Sequence, residues 1–330
     1  ADRLPEPPLT LDFEARGSEL GQYGGTLRML MSRSKDTRQM TVYGYARLVS
    51  YQPGDYEFFA DILQDFIVED ERVFTFILRR DHRWSDGHPF TAEDFRYFWE
   101  DVANNPDLSP AGPPSVMMVD GEAPLFQVID ARTVRYSWSK PNPDFLPALA
   151  KASPLYIYRP AHYLKPMHAA YADPEKMAKR VEDAKQRNWA AMHNKMDNLY
   201  RMDNPDLPVL QPWKVTGTAT STRFRFERNP YFHRVDPKGR QLPYIDEVIF
   251  DIASPGLIPA KAGAGDTDLQ ARYLSFDDYT FLKQAEDRFP FDTRLWRTAK
   301  GSHMALFPNL NAVDPAWREL FRDVRFRRAL

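Results

Sequence analysis

"FTFILRRDHRWSDGHPFTAEDFRYFW", residues 74–99, passes from one aromatic-rich stretch through a turn into another. Its first part belongs to Glu71–Arg80, rich in β-branched and aromatic residues and bounded by charge, which predicts a strand. Ser85-Asp86-Gly87 predicts a tight turn, with Gly87 free to take a positive φ. Thr91 stands ahead of Ala92-Glu93-Asp94 as an N-cap hydroxyl followed by first-turn acids, which satisfies orphan amides and suits the helix dipole. Beyond it Phe95, Phe98 and Trp99 recur at i, i+3 and i+4, the spacing of a helix face. Inside this stretch, Trp84 to Phe95 carry three carboxylates, two hydroxyls and a histidine, a density met in catalytic clusters. Strand, turn and cap account for them, and Glu93 and Asp94 are expected to point outward with no base or nucleophile at useful spacing.

Working outward, "YGGTLRMLM" (Tyr23–Met31) predicts a turn feeding a buried strand. Ser32–Met40 reads as a polar loop without periodicity, and Thr41–Tyr51 as an aromatic helix or core-packed loop. "LFQVIDARTVRYSW" (Leu125–Trp138) predicts two strands joined at Asp130-Ala131-Arg132, then a proline-rich passage ending in a short helix. Asp173-Pro174 reads as a helix start. The segment after it is expected to align Met177, Val181, Ala184, Trp189, Met192, Met196 and Leu199 along one broad face, with Lys185 and Asn188 at its margin. A methionine stripe at that spacing points to packing rather than to a soft metal. Pro212–Phe232 suggests a hairpin, because "TRFRFER" alternates at period two, and Leu242–Ile252 a buried strand. The small, polar and acidic stretch from Ala260 to Tyr279 reads as a crossover between lobes.

The chain has 330 residues, 43% of them hydrophobic, enough for a large core and more than one domain. A formal net charge of -2 from 44 basic and 46 acidic residues gives no single-sign field for nucleic acid or an anionic membrane. No apolar run approaches the ~20 residues that cross a bilayer. Cysteine is absent, which excludes disulfides, thiolate zinc sites, cysteine nucleophiles and a lipid-modified cysteine within this chain. Ala1 rather than methionine comes first, with no charged-then-apolar leader, so an exported, mature protein is expected. At the far end Asp314-Pro315 starts a helix and Asp323 caps another, and the latter is so short that further chain or another polypeptide is expected to complete the fold.

Chemical signatures are scarce. The sequence has no Gly-x-Gly-x-x-Gly, Walker loop, Gly-x-Ser-x-Gly or His-Glu-x-x-His. His82, His88, His162, His168, His193, His233 and His303 are scattered without i,i+4 pairing and read as surface or satisfied core residues, so no metal or cofactor is expected. Paired carboxylates of a glycoside hydrolase stay open as a remote alternative, since their separation is a three-dimensional quantity.

In order along the chain, four motifs resemble the family 5 extracellular solute-binding proteins, the peptide and oligopeptide receptors of ATP-driven importers. They are the opening stretch, the hairpin "PWKVT" to "FERNPYF", the strand "LPYIDEVIFDI", and "FPNLN" to "DVRFRRAL". Members commonly carry Gly-Pro-Tyr where Gln211-Pro212-Trp213 stands. The resemblance implies an α/β, periplasmic-binding-protein type two-lobed fold with a mixed sheet and an additional domain, the second lobe truncated in this chain. Domain I would be residues 1–55 and 205–272, domain II residues 56–204, and domain III would start at 273 and be incomplete at 330. It further implies a monomeric periplasmic receptor, not an enzyme, that closes a hinge on a small solute and docks on a membrane permease of an ABC importer. The solute would be oligopeptide-like, with an oligosaccharide or an opine as the alternative. Candidate ligand-binding residues are Ser32, Arg33, Ser34, Asp36, Gln39 and Tyr43 in and after the first loop, Gln270 and Tyr273 at the crossover, and Asn309.

Overall fold

The computed structural model describes residues 3–13, 17–52, 54–217, 222–297 and 305–329. The strands, in chain order, are β1 (Leu9–Thr10), β2 (Thr26–Met31), β3 (Val49–Tyr51), β4 (Phe58–Ala60), β5 (Leu63–Glu69), β6 (Val73–Leu78), β7 (Leu125–Asp130), β8 (Thr133–Ser137), β9 (Trp213–Val215), β10 (Arg223–Arg228), β11 (Arg234–Val235) and β12 (Glu247–Ile252). Ala1–Phe291 makes one compact unit and Asp292–Leu330 another.

A mixed sheet ordered β2-β12-β10-β9 has β2 and β12 parallel, Thr26 opposite Glu247 through Met31 opposite Ile252. Period-two alternation sends Met29, Met31, Phe224, Phe226, Val248 and Phe250 into one buried cluster with Met40. The opposite face is ionic, with Arg223 2.7 Å from Asp251 and Arg225 2.7 Å from Glu247. Sequence alternation in "TRFRFER" is thus the hairpin's division between core and solvent.

An antiparallel sheet ordered β5-β6-β8-β7 presents Phe74, Phe76, Leu78, Val134 and Tyr136 to the main core, where Phe95, Phe98, Trp99 and Phe145 meet them. The turn at 84–87 closes with Gly87 N–H on the Trp84 carbonyl at 2.8 Å, and Gly87 has φ +91°. Thr91 caps the helix Ala92–Arg96 in a reciprocal capping box with Asp94, after which the helix widens to π geometry over Tyr97–Ala103.

Three expectations are corrected. Asp94 points inward, not outward: it is 3% exposed and accepts from Thr91 N–H (2.9 Å), Ala161 N–H (3.0 Å) and the Trp84 indole (3.2 Å). Ser32–Met40 is not an irregular loop: Ser34–Arg38 forms a 3-10 turn running into the helix Gln39–Gly44, stapled by the Thr37 hydroxyl on the Ser34 carbonyl. The methionine-bearing segment is two helices, Pro174–Asp183 and Trp189–Met196, broken where Lys185 takes φ +51° and restarted by Asn188, which caps the Ala191 N–H at 2.8 Å. Leu199 lies in the main core, apart from Met177 and Met192.

Candidate ligand-binding corner

Parallel strands place the loops that follow them side by side, and in open α/β sheets ligands settle outside the carboxyl ends of such strands. β2 and β12 end in register at Met31 and Ile252, and the 3-10 turn Ser34–Arg38 leaves that edge. The crossover Gln270–Tyr273 is pinned to the same edge. Gln270 Oε1 accepts from Leu30 N–H at 3.0 Å and its Nε2 donates to the Leu30 carbonyl at 3.1 Å, so a side-chain amide continues the strand ladder. A second bond from Nε2 to the Arg272 carbonyl, 2.7 Å, shapes the next turn.

That turn brings Tyr273, in the left-handed region with φ +65°, over the loop after β2. Its hydroxyl donates to Asp36 Oδ2 at 2.5 Å and accepts from Ser32 Oγ, also at 2.5 Å. Asp36 is fully buried, and Arg272 Nη2 lies 3.1 Å from its Oδ1. The guanidinium also sits over the Tyr273 ring, 5.2 Å from the centroid. The Tyr273 hydroxyl first, then the Asp36 charge, stabilise the protonated guanidinium, raising its pKa despite partial burial. Tyr43, packed beside the mixed-sheet core, has its phenol pKa raised by burial, with the Arg272 charge opposing.

Of the residues predicted from sequence, the structure joins Ser32, Asp36, Gln270 and Tyr273 in one network, with Tyr43 close to Arg272. Gln39 half-lines the loop and donates to the Asp36 carbonyl at 3.2 Å. Ser34 serves through its carbonyl as a backbone acceptor for Thr37, and Arg33 is exposed ahead of the turn. Asn309 belongs to the Asp292–Leu330 unit, where its Oδ1 caps the Asn311 N–H at 3.0 Å. Arg272 was missed. The one sequence signal for it is a buried-type acid, Asp36, in a loop of hydroxyls, which requires a cation from elsewhere.

No catalytic convergence occurs in the acidic twelve-residue stretch. Asp86 pairs with His162 (2.8 Å), Glu93 with Arg96 and Lys165 (both 2.7 Å), and Asp94 is spent on its three N–H donors. Among the described residues, no group of three or more histidine, aspartate or glutamate side chains is arranged to hold a metal, and no helix is long and apolar enough to cross a membrane. His303 lies outside the described residues.

Residues 59–330 match the sequence model of the bacterial extracellular solute-binding proteins, family 5 Middle. All of the chain aligns, at 25% identity, with 48% of the periplasmic alpha-galactoside-binding protein of Rhizobium meliloti. Among solved structures, an oligopeptide-binding protein OppA is similar over 99% of this chain and 51% of its own, with 29% identity and a TM-score of 0.81. The periplasmic binding protein MelB of Agrobacterium fabrum, solved with stachyose, is similar over 86% of this chain and 42% of its own, with 25% identity and a TM-score of 0.66. The chain therefore spans about half the length of the curated relative and of these structures. The expected α/β architecture is that of the OppA-type two-lobed solute-binding fold.

Proposed function

We propose, because the chain belongs to the bacterial extracellular solute-binding proteins of family 5, that it is part of a periplasmic receptor that grips an oligopeptide-like solute and hands it to the permease of an ABC importer. The observation that carries this is the likeness to OppA across 99% of the chain at a TM-score of 0.81. The network at the carboxyl edge of the mixed sheet supports it, since it offers rigid polar groups for recognition. Closure follows from differential contact: a solute touching both walls of a cleft binds the closed state more tightly and shifts the population toward it. Domain boundaries at 55/56, 204/205 and 272/273 belong to the same proposal, with the opening motif inside domain II.

A second reading, an oligosaccharide receptor, draws support from the alpha-galactoside-binding relative aligned over all of this chain and from MelB with stachyose. A thermal-shift screen of the full-length protein against peptides, oligosaccharides and opines separates them, because only a solute that binds the folded state raises the melting temperature. Stabilisation by peptides alone is expected. Stabilisation by oligosaccharides alone selects the second reading.

A further inference from the structure

We propose that Arg272 receives a carboxylate of the solute, with Asp36 beneath it as the positioning residue, so that the solute taken at this corner is an acid. This deepens the receptor reading above and rests on it. A guanidinium carries five N–H donors in a fixed planar fork. Asp36 and the Tyr273 hydroxyl occupy one side of Arg272, through Nη2 at 3.1 Å from Asp36 Oδ1 and through the contact with the phenol. Nε is buried, while 34% of the side chain stays exposed. A solute would therefore meet the terminal nitrogens of the fork, and a planar carboxylate matches guanidinium donors two at a time.

The charge around the corner has the same sign. Asp36 is the only acid from Ser32 to Gln39, and it is fully buried and already accepts from Tyr273, so this segment offers a ligand ammonium no free carboxylate. Arg33 and Lys35 are exposed on the same turn and Arg38 is half-buried, which leaves an excess of positive charge. A neutral sugar is served less well. Arg272 covers one face of the Tyr273 ring and Tyr43 packs partly against the core, which reduces the aromatic surface open to a sugar. Preorganisation comes from the Gln270 clamp on Leu30 and from the Ser32–Tyr273–Asp36 chain, which hold the fork before a ligand arrives.

The test uses the full-length protein, a pool of short casein peptides with free carboxylates, the same pool after methyl esterification, and neutral galacto-oligosaccharides. Calorimetry is expected to show the free-acid pool binding at least about thirtyfold more tightly than the ester pool, the effect of removing one partner of a hydrogen-bonded charge pair. In Arg272→Gln that ratio is expected to fall close to one, and Arg272→Lys, which keeps charge but loses the fork, is expected to lie between. A merely structural Arg272 would weaken both pools alike and leave the ratio, which overturns the proposal. Because Arg272→Gln strands a buried Asp36, the double variant Arg272→Gln/Asp36→Asn is measured beside it, and a preserved acid preference there also overturns the proposal. Equal binding of acid and ester by the unaltered protein, or binding of the galacto-oligosaccharides alone, overturns the carboxylate proposal and leaves the receptor standing. Binding of none of the three probes overturns both.

Discussion

The indole N–H of Trp84 donates to the carboxylate of Asp94 at 3.2 Å, joining the turn of the opening motif to the helix that follows it. Trp84 is fully buried, so that bond is made in the core, and Asp94 extends it to the Thr91 and Ala161 backbones. Burial pushes the Asp94 carboxyl up to about 7, but at 3% exposure and aimed at three N–H groups of its own chain it lies out of a substrate's reach. The motif builds the domain.

Replacing Asp94 by alanine should therefore be among the costliest changes in the chain. Two buried donors and the half-buried Thr91 N–H lose their acceptor, the buried ones at about 1–3 kcal/mol each before relaxation, so urea denaturation is expected to show a loss of several kcal/mol. Glu93→Ala, next to it, removes a part-exposed pair with Arg96 and Lys165 and is expected to cost less than about 1 kcal/mol.

Gly87 offers a second mechanical test. Its φ of +91° disfavours any side chain, and a Cβ there would lie 2.8 Å from the Tyr231 hydroxyl. Gly87→Ala is expected to lower stability by roughly 1–3 kcal/mol. Adding Tyr231→Phe, which removes the nearest clashing atom, should restore part of it; the remainder combines backbone strain with the ring carbons, which stay 3.1 and 3.3 Å from that Cβ.

These two sites also show what was legible in the sequence. Strand, turn and cap around residues 74–99 follow from period, glycine and capping chemistry, all of which act over a few neighbours. The inward aim of Asp94 does not, because its acceptor role is fixed by Ala161 N–H, brought in by the tertiary fold. The 3-10 turn Ser34–Arg38 is too short to show a period, and the break between the methionine-bearing helices rests on one left-handed residue, Lys185. At the candidate corner, Ser32, Asp36 and Tyr273 are readable in sequence as polar groups in the loops the structure brings together. Arg272 is not, since its meaning comes from the buried carboxylate it meets across the fold.

Acid should unfold the protein through its core histidines. His82 and His233 lie 5.2 Å apart, ring to ring, with Asp61, Arg79 and Arg234 around them. Burial lowers both pKa values, His233 to about 4 even though Asp61 accepts from it, and His82 well below the usual imidazole range. Burial would raise Asp61, yet Arg234 and His233 hold it ionised and below the carboxylate range. Folded-state values below the unfolded one mean that the unfolded chain binds more protons. The stability contributed by the neutral imidazoles is present above pH ~6.5 and is lost as pH falls toward 4. Across that window the imidazoles lower the melting temperature, while Asp94, raised to about 7 by burial, acts in the opposite sense; the fall is expected to be shallower in His82→Gln than in the unaltered protein. An unchanged slope in that variant would remove His82 from the explanation.

Gln270 ties the crossover to the sheet edge through both of its amide atoms on Leu30. Gln270→Ala should cost about 1–2 kcal/mol of stability, since the Leu30 backbone groups sit at an edge where water replaces one partner in part. Loss of solute affinity should exceed that figure, because the Arg272–Tyr273 turn is released with it. Calorimetry and urea titration on the same preparation separate the two effects.

The central claim is that the solute is held and not transformed. It is tested by loading the full-length protein with the casein peptide pool, removing free peptide, denaturing the complex and weighing what is released by mass spectrometry. Retention of peptides at their original masses is the outcome expected of a receptor. Released molecules that are shortened or carry the added mass of water would show bond cleavage and contradict it.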